Sequence, residues 1–247
     1  MMAILEWVTL AVCCAALLLR LPEALRGRNR TVFGILLLAT LCSLLAVSEL
    51  YAIIDGALGG WGATSLILRF LVFATVLLVG LRVTRGLGAA SGYKLISGGT
   101  GRWALGLGCL AVTVTFFLMH TYGTPAGLQA PSAGGDGNSA LVPLYAAAGR
   151  TYPAYVSVIL MPPLLAAFRS HLPRLVRAGA LLVLFGACFA ALSLPASLVP
   201  PTWAVAQHFV NYGAVLGYVL GLAVFWFSGL ISDKSGNAKA TLRKNRD

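Results

Sequence analysis

RLPEALRGRNR, residues 20–30, is a short arginine-rich stretch between two apolar segments, and its reading decides the fold. Arginine is costly in hydrocarbon and collects in cytoplasmic loops. The four arginines Arg20, Arg26, Arg28 and Arg30, following the first apolar span, therefore predict a cytoplasmic turn and an external N-terminus.

The composition around this stretch agrees. Of the 247 residues, 59% are hydrophobic and 10% are charged, with mean hydropathy +0.87. This is a membrane-protein composition, and apolar runs of spanning length recur along the whole chain, leaving no soluble domain over. The net charge of +11 is not read as nucleic-acid binding. All of the 18 Lys and Arg residues except Arg69 and Arg150 fall in loops and a tail on one side, which is the positive-inside pattern with anionic lipid headgroups as partners.

The predicted fold class is all-α, a polytopic integral membrane protein with seven transmembrane helices over residues 1–231, N-out and C-in. The helices cover about Ile4–Leu19, Val32–Ile54, Ser65–Leu81, Trp103–His120, Tyr152–Phe168, Ala178–Leu194 and Trp203–Ile231. The first lacks a basic start and a small-residue cleavage site, so it reads as a retained helix rather than a signal peptide, closed by Leu21 and Pro22. DGALGGWGATS, residues 55–65, is an outer turn. RGLGAASGYKLISGGTGR, residues 85–102, matches neither the dinucleotide nor the P-loop spacing and reads as a flexible basic cytoplasmic loop. Residues 123–149 form a long external loop, read as a lid or a disordered segment. Pro162 and Pro163 predict a kink in the fifth helix. Residues 232–247 form a basic cytoplasmic tail.

Polar residues inside spans mark where chemistry can sit. Glu49 precedes Asp55 by six residues and Arg69 follows Thr64 by five, so at about 1.5 Å per residue both lie roughly 8 Å below the outer surface. They are expected to pair, either as a structural ion pair or as part of a ligand site. In QHFVNYG, residues 207–213, Gln207, His208, Asn211 and Tyr212 share one broad helical face. Gly213, Gly217 and Gly221, four apart, form a close-packing line on nearly the opposite side. The candidate ligand or translocation cavity is lined by Glu49, Arg69, His120, Gln207, His208 and Asn211.

No cofactor or metal is expected. His120 and His208 stand near helix ends without a second histidine pair, and Cys13, Cys14, Cys42, Cys109 and Cys188 lie in apolar runs without metal or redox spacing. No serine sits on a nucleophile template, and the chain is not read as an enzyme. Tyr152 and Tyr155, beside Arg150, read as an aromatic belt.

Four stretches in register, the basic turn, SELYAIIDGALG, TYPAYVSVIL and HLPRLVRAGALLVLFGA, resemble the MAB_1171c family, actinobacterial seven-helix membrane proteins designated transporters. The resemblance implies seven helices and a bacterial inner or plasma membrane. Members commonly carry a further cytoplasmic region after the last helix, where this sequence has its short basic tail.

The expected function is transport or binding of a small polar solute or ion through the outer-side cavity. The alternative is a non-catalytic scaffold or sensor subunit with a protein partner or homo-oligomeric assembly, its polar residues serving only to hold helices together. The topology has a direct check in a background lacking the native cysteines. A membrane-impermeant thiol reagent added to intact cells is expected to label Ser132→Cys at once and Ser235→Cys only after permeabilisation; the reverse order inverts the orientation.

Overall fold

A computed structural model describes residues 2–25, 30–121, 141–197 and 204–244, excepting some side chains, among them those of His120 and residues 229–244. The described residues form nine helices: α1 (Met2–Leu25), α2 (Arg30–Ala46), α3 (Ser48–Ala57), α4 (Ala63–Gly86), α5 (Ala90–Ser97), α6 (Gly99–Thr121), α7 (Leu141–Arg169), α8 (Arg174–Ala196) and α9 (Ala204–Lys244). Five, α4 and α6 to α9, contain stretches long and apolar enough to cross a membrane; α2 and α3 together make a sixth if the bent pair is one span. The chain is a multi-pass membrane protein. Helix is what such a chain must form, because hydrocarbon satisfies no backbone amide or carbonyl.

Side-chain hydroxyls obey the same constraint by bonding back to the preceding turn. Thr40 donates to the Leu36 carbonyl at 2.7 Å, Thr75 to Leu71 at 2.7 Å, Thr84 to Gly80 at 2.7 Å, and Ser157 to Pro153 at 2.6 Å. Large apolar side chains such as Leu18, Leu107, Phe117, Phe185 and Phe209 are exposed on the outside of the bundle, as lipid contact allows. One core joins α4, α6, α7, α8 and α9 through Phe73, Val112, Tyr152, Val183 and Tyr218, among others. A smaller one joins α1, α2 and α9 through Cys13, Leu36 and Val219.

Four expectations about the chain path are corrected. The first helix does not close at Leu21 and Pro22 but runs to Leu25, with Arg20 buried on it, so the basic turn is shorter than the sequence suggests and its residues 26–29 lie outside the described set. The second predicted helix breaks at Val47, whose extended backbone (φ −71°, ψ 121°) separates α2 from α3 by a 92° bend. Glu49 favours a new helix start here. It lies in the first turn, where it meets the positive end of the α3 dipole.

The glycine-rich stretch after α4 is not a flexible loop. It contains α5, whose Ile96 is buried and whose Gly92 lets the helix approach Thr84 Cγ2, 3.2 Å from where a Cβ would stand. Tyr155 on α7 donates to the Leu95 carbonyl at 2.9 Å and ties α5 to the bundle. Finally, Leu141–Gly149 belongs to α7, not to a loop; residues 122–140 of the expected loop lie outside the described set. The helix runs on through Pro153, Pro162 and Pro163. At the other end of the chain α9 continues through the basic tail to Lys244.

The tightest packing is between α8 and α9. A Cβ on Gly217 would stand 2.6 Å from the Gly186 Cα, and one on Gly221 would meet Val183 and the Gly179 carbonyl, the latter at 3.0 Å. A Cβ on Gly213 would stand 3.1 Å from the Phe189 ring. Small residues on both helices, Gly179 and Gly186 against Gly217 and Gly221, let the backbones touch, which gains dispersion contacts that lipid cannot replace. Across the same region the Ser157 and Tyr218 hydroxyls hydrogen-bond at 2.8 Å, linking α7 to α9. Gly217→Ala is expected to destabilise the protein by about 1–3 kcal/mol through overpacking. Gly34→Ala, where nothing lies within 4 Å, is expected to stay within about 0.5 kcal/mol of the parent. Unfolding titrations of both variants in mixed micelles compare them.

Candidate functional site

The most unusual side chain in the bundle is Arg69, on the second turn of α4. It is 7% exposed, so it neither reaches water nor snorkels to a headgroup. Its position follows from two residues on α7 spaced by four. Tyr145 places its ring under the guanidinium, with Cζ 3.9 Å from the centroid, a cation–π contact in a desolvated setting. Gly149, one turn further, provides the slot: a Cβ there would collide with Nη1 and lie 2.7 Å from Cζ and 2.9 Å from Cδ. No residue other than glycine leaves this space.

Hydroxyl groups surround the pair. Ser65, one turn before Arg69 on α4, hydrogen-bonds the Tyr145 hydroxyl at 3.0 Å. Tyr51 on α3 bonds to Ser65 and brings the bent helix into the group. Arg150, next to Gly149, stands close enough to Arg69 for the two cations to interact. Nε of Arg69 has no hydrogen-bond partner, and no carboxylate among the described residues forms an ion pair with it. Asp55 is engaged elsewhere, accepting from the amides of Gly62 at 3.2 Å and Thr64 at 3.4 Å. That bond closes the turn between α3 and α4, whose Gly59, Gly60 and Gly62 have φ of 94°, 71° and 70°, values that suit glycine.

A second polar group lies between α1 and α9. Glu6 is buried at 3% exposure and shares a hydrogen bond with Tyr212, whose ring stacks on His208 at 6.4 Å and 14°. Thr9, also buried, is one turn from Glu6 on α1.

The residues expected to line one cavity are therefore divided. Arg69 belongs to the α4–α7 group, while Gln207, His208 and Asn211 belong to α9, which packs on α8, α1 and α2. Gln207 donates to the Ala196 carbonyl at 2.6 Å, closing the end of α8. Asn211 is half-buried. Glu49 does not meet Arg69: its side chain is exposed, and it is Tyr51, two residues on and on nearly the opposite side of α3, that reaches the Arg69 group. His120 ends α6, but its side chain lies outside the described residues. Tyr152 is not part of an aromatic belt. It is 1% exposed, tilted on Phe73 at 5.4 Å and stacked on Tyr155 at 6.2 Å. The start of α7 at Leu141 explains this, because Tyr152 then lies three turns inside the helix rather than at its mouth.

Sequence reasoning missed Glu6, Tyr145 and Gly149. Glu6 stands near the N-terminus at the start of an apolar run, and nothing in its spacing points to Tyr212. Tyr145 and Gly149 fall in the expected loop, though LVPLYAAAGRTY continues the helical apolar pattern into TYPAYV and carries the signal. Among the described residues no group of three or more His, Cys, Asp or Glu is arranged to hold a metal ion. The five cysteines are free; Cys13 contacts Ser43 at 3.3 Å and Cys42 contacts Thr75 at 3.8 Å.

Neither a protein-family model, nor a curated protein, nor a solved structure matches the chain.

The slot has a direct test in a double-mutant cycle. Gly149→Ala is expected to cost about 1–3 kcal/mol when Arg69 is present, because the guanidinium must leave its place. In an Arg69→Ala background the same change is expected to cost less than about 0.5 kcal/mol. Equal costs in the two backgrounds, measured by unfolding, dissolve the coupling.

Proposed function

We propose that the chain is a seven-span, N-out and C-in protein of a bacterial cell membrane that binds, and by the same sites transports, a small polar solute or ion from its outer side. The five long apolar helices, the bent α2–α3 pair and the 24-residue α1 support the span count. The distribution of Lys and Arg supports the orientation. The resemblance of four stretches to a seven-helix transporter family points the same way.

The observation that carries the functional part is the burial of Arg69 without a carboxylate partner among the described residues. An ionisable side chain held inside a membrane bundle is costly, and structural needs alone are met more cheaply by the serine, threonine and glycine contacts seen elsewhere in this chain. The arrangement has the character of a site kept for something that comes and goes. The half-buried polar face of α9, with His208 and Asn211, offers a second wet surface on the same reading.

The second reading is a non-catalytic scaffold or sensor subunit. Gln207 favours it, since its amide is spent on the Ala196 carbonyl, as does the Ser157–Tyr218 bond between helices. In that case the polar groups are interhelical connections, each contributing on the order of 1 kcal/mol or less.

Water access separates the two. In a cysteine-free background, Asn211→Cys is expected to react quickly with an impermeant thiol reagent added to intact cells, at a rate comparable with a control at Ser132→Cys. Labelling of the control alone means that the α9 face is packed, and the scaffold reading then replaces the transporter.

A further inference from the structure

The α4–α7 group holds two guanidinium groups, those of Arg69 and Arg150, and no ion pair joins either to a carboxylate among the described residues. Arg69 is buried and Arg150 partly so, and a buried positive charge is costly unless something of opposite sign reaches it. The Tyr145 ring compensates one face of Arg69. It accepts nothing from Nε, which is left without a hydrogen-bond partner on a side chain more than nine-tenths buried.

The orientation of the guanidinium says what kind of group fits. Cδ, Cζ and Nη1 are the atoms that face the Gly149 slot, so the edge turned away from the slot is the one carrying Nε and Nη2. Those two N–H groups are parallel donors, and their spacing matches the two oxygens of a carboxylate or of a phosphate group. A halide offers one point of charge and would leave half of the fork unused. Arg150 supplies a second positive charge from the neighbouring helix, and the tyrosine and serine hydroxyls at Tyr145, Ser65 and Tyr51 line the same region.

We propose that the α4–α7 centre is an oxyanion-binding site, taking one carboxylate or phosphate group on the Nε–Nη2 edge of Arg69, with Gly149 holding the guanidinium in the orientation that presents that edge. The proposal rests on the reading of the chain as a solute-binding membrane protein and narrows its ligand to anions. The oxyanion is carried either by a free small molecule or by a phospholipid headgroup entering between the helices.

The experiment has an arm for each source. Protein purified in detergent and stripped of phospholipid is titrated calorimetrically with inorganic phosphate and with acetate, against chloride as control. In parallel, protein incubated with phosphatidylglycerol is examined by native mass spectrometry for a retained lipid. Saturable one-to-one binding of phosphate or acetate identifies a free oxyanion, and one retained phosphatidylglycerol identifies a headgroup. Either result is expected to weaken at least tenfold in Arg69→Gln and to be intermediate in Arg69→Lys, which keeps the charge and loses the fork. Absence of binding of all three probes to the parent protein overturns the proposal whether or not the variants fold, as does equal binding by parent and Arg69→Gln. If Asn211→Cys is labelled while no oxyanion binds, this inference falls and the wider solute-binding reading stands. Oxyanion binding without labelling at Asn211 upholds the site and removes α9 from it.

Discussion

Hydrocarbon offers no hydrogen-bond partner, and nearly every feature of this protein is a response to that fact. The backbone of the described residues answers it with helix. Threonines and serines answer it by donating to the carbonyl four residues earlier, as at Thr40, Thr75 and Ser157. Because burying apolar surface gains little between helices already surrounded by lipid, association has to come from close contact instead. The Gly186–Gly217 approach supplies that contact, and the Ser157–Tyr218 bond adds one of the few polar links that such an interior tolerates.

Against this background two of the buried ionisable side chains, Glu6 and Arg69, stand out for lying in different parts of the bundle. Glu6 is held between α1 and α9 with Tyr212, and Arg69 is held between α4 and α7 with Tyr145. The obvious economy, an ion pair that cancels both, is not taken. Each has a tyrosine beside it, Tyr212 at Glu6 and Tyr145 at Arg69. A glycine makes the arginine's place possible: Gly149 is to Arg69 what Gly186 is to Gly217, a missing side chain that something else fills, but here the filler is a cation rather than a backbone.

Much of this was legible in the sequence. Hydropathy and the clustering of Lys and Arg expose a multi-pass membrane protein without any structure, and a glycine every four residues from Gly213 to Gly221 marks a packing face. Arg69 is conspicuous as a cation inside an apolar run. What the sequence concealed were the chain's departures from the expected path. Val47 is an ordinary apolar residue, yet its backbone is extended there and a new helix starts at Ser48 with Glu49 in its first turn. The glycine-rich segment after α4 looks like a loop because glycine is a poor helix former, but in α5 the missing side chain at Gly92 is what admits the helix against Thr84 and Ile159. Composition reports the cost of glycine and is blind to the contact that offsets it.

By itself, then, the sequence determined the class of solvent and the helical character, since these depend on length, hydropathy and spacing along one chain. Only the tertiary structure decided which residue each charged side chain meets. Glu49 and Arg69 sit at matched positions in consecutive predicted helices, yet Glu49 is exposed and Tyr51 is the residue of α3 that reaches the Arg69 group. Gly149 and Arg69 are eighty residues apart in sequence and share one space. A spacing rule describes neighbours on one helix, whereas a binding centre is formed by faces of different helices, and their relative rotation is set by the packing of the whole bundle.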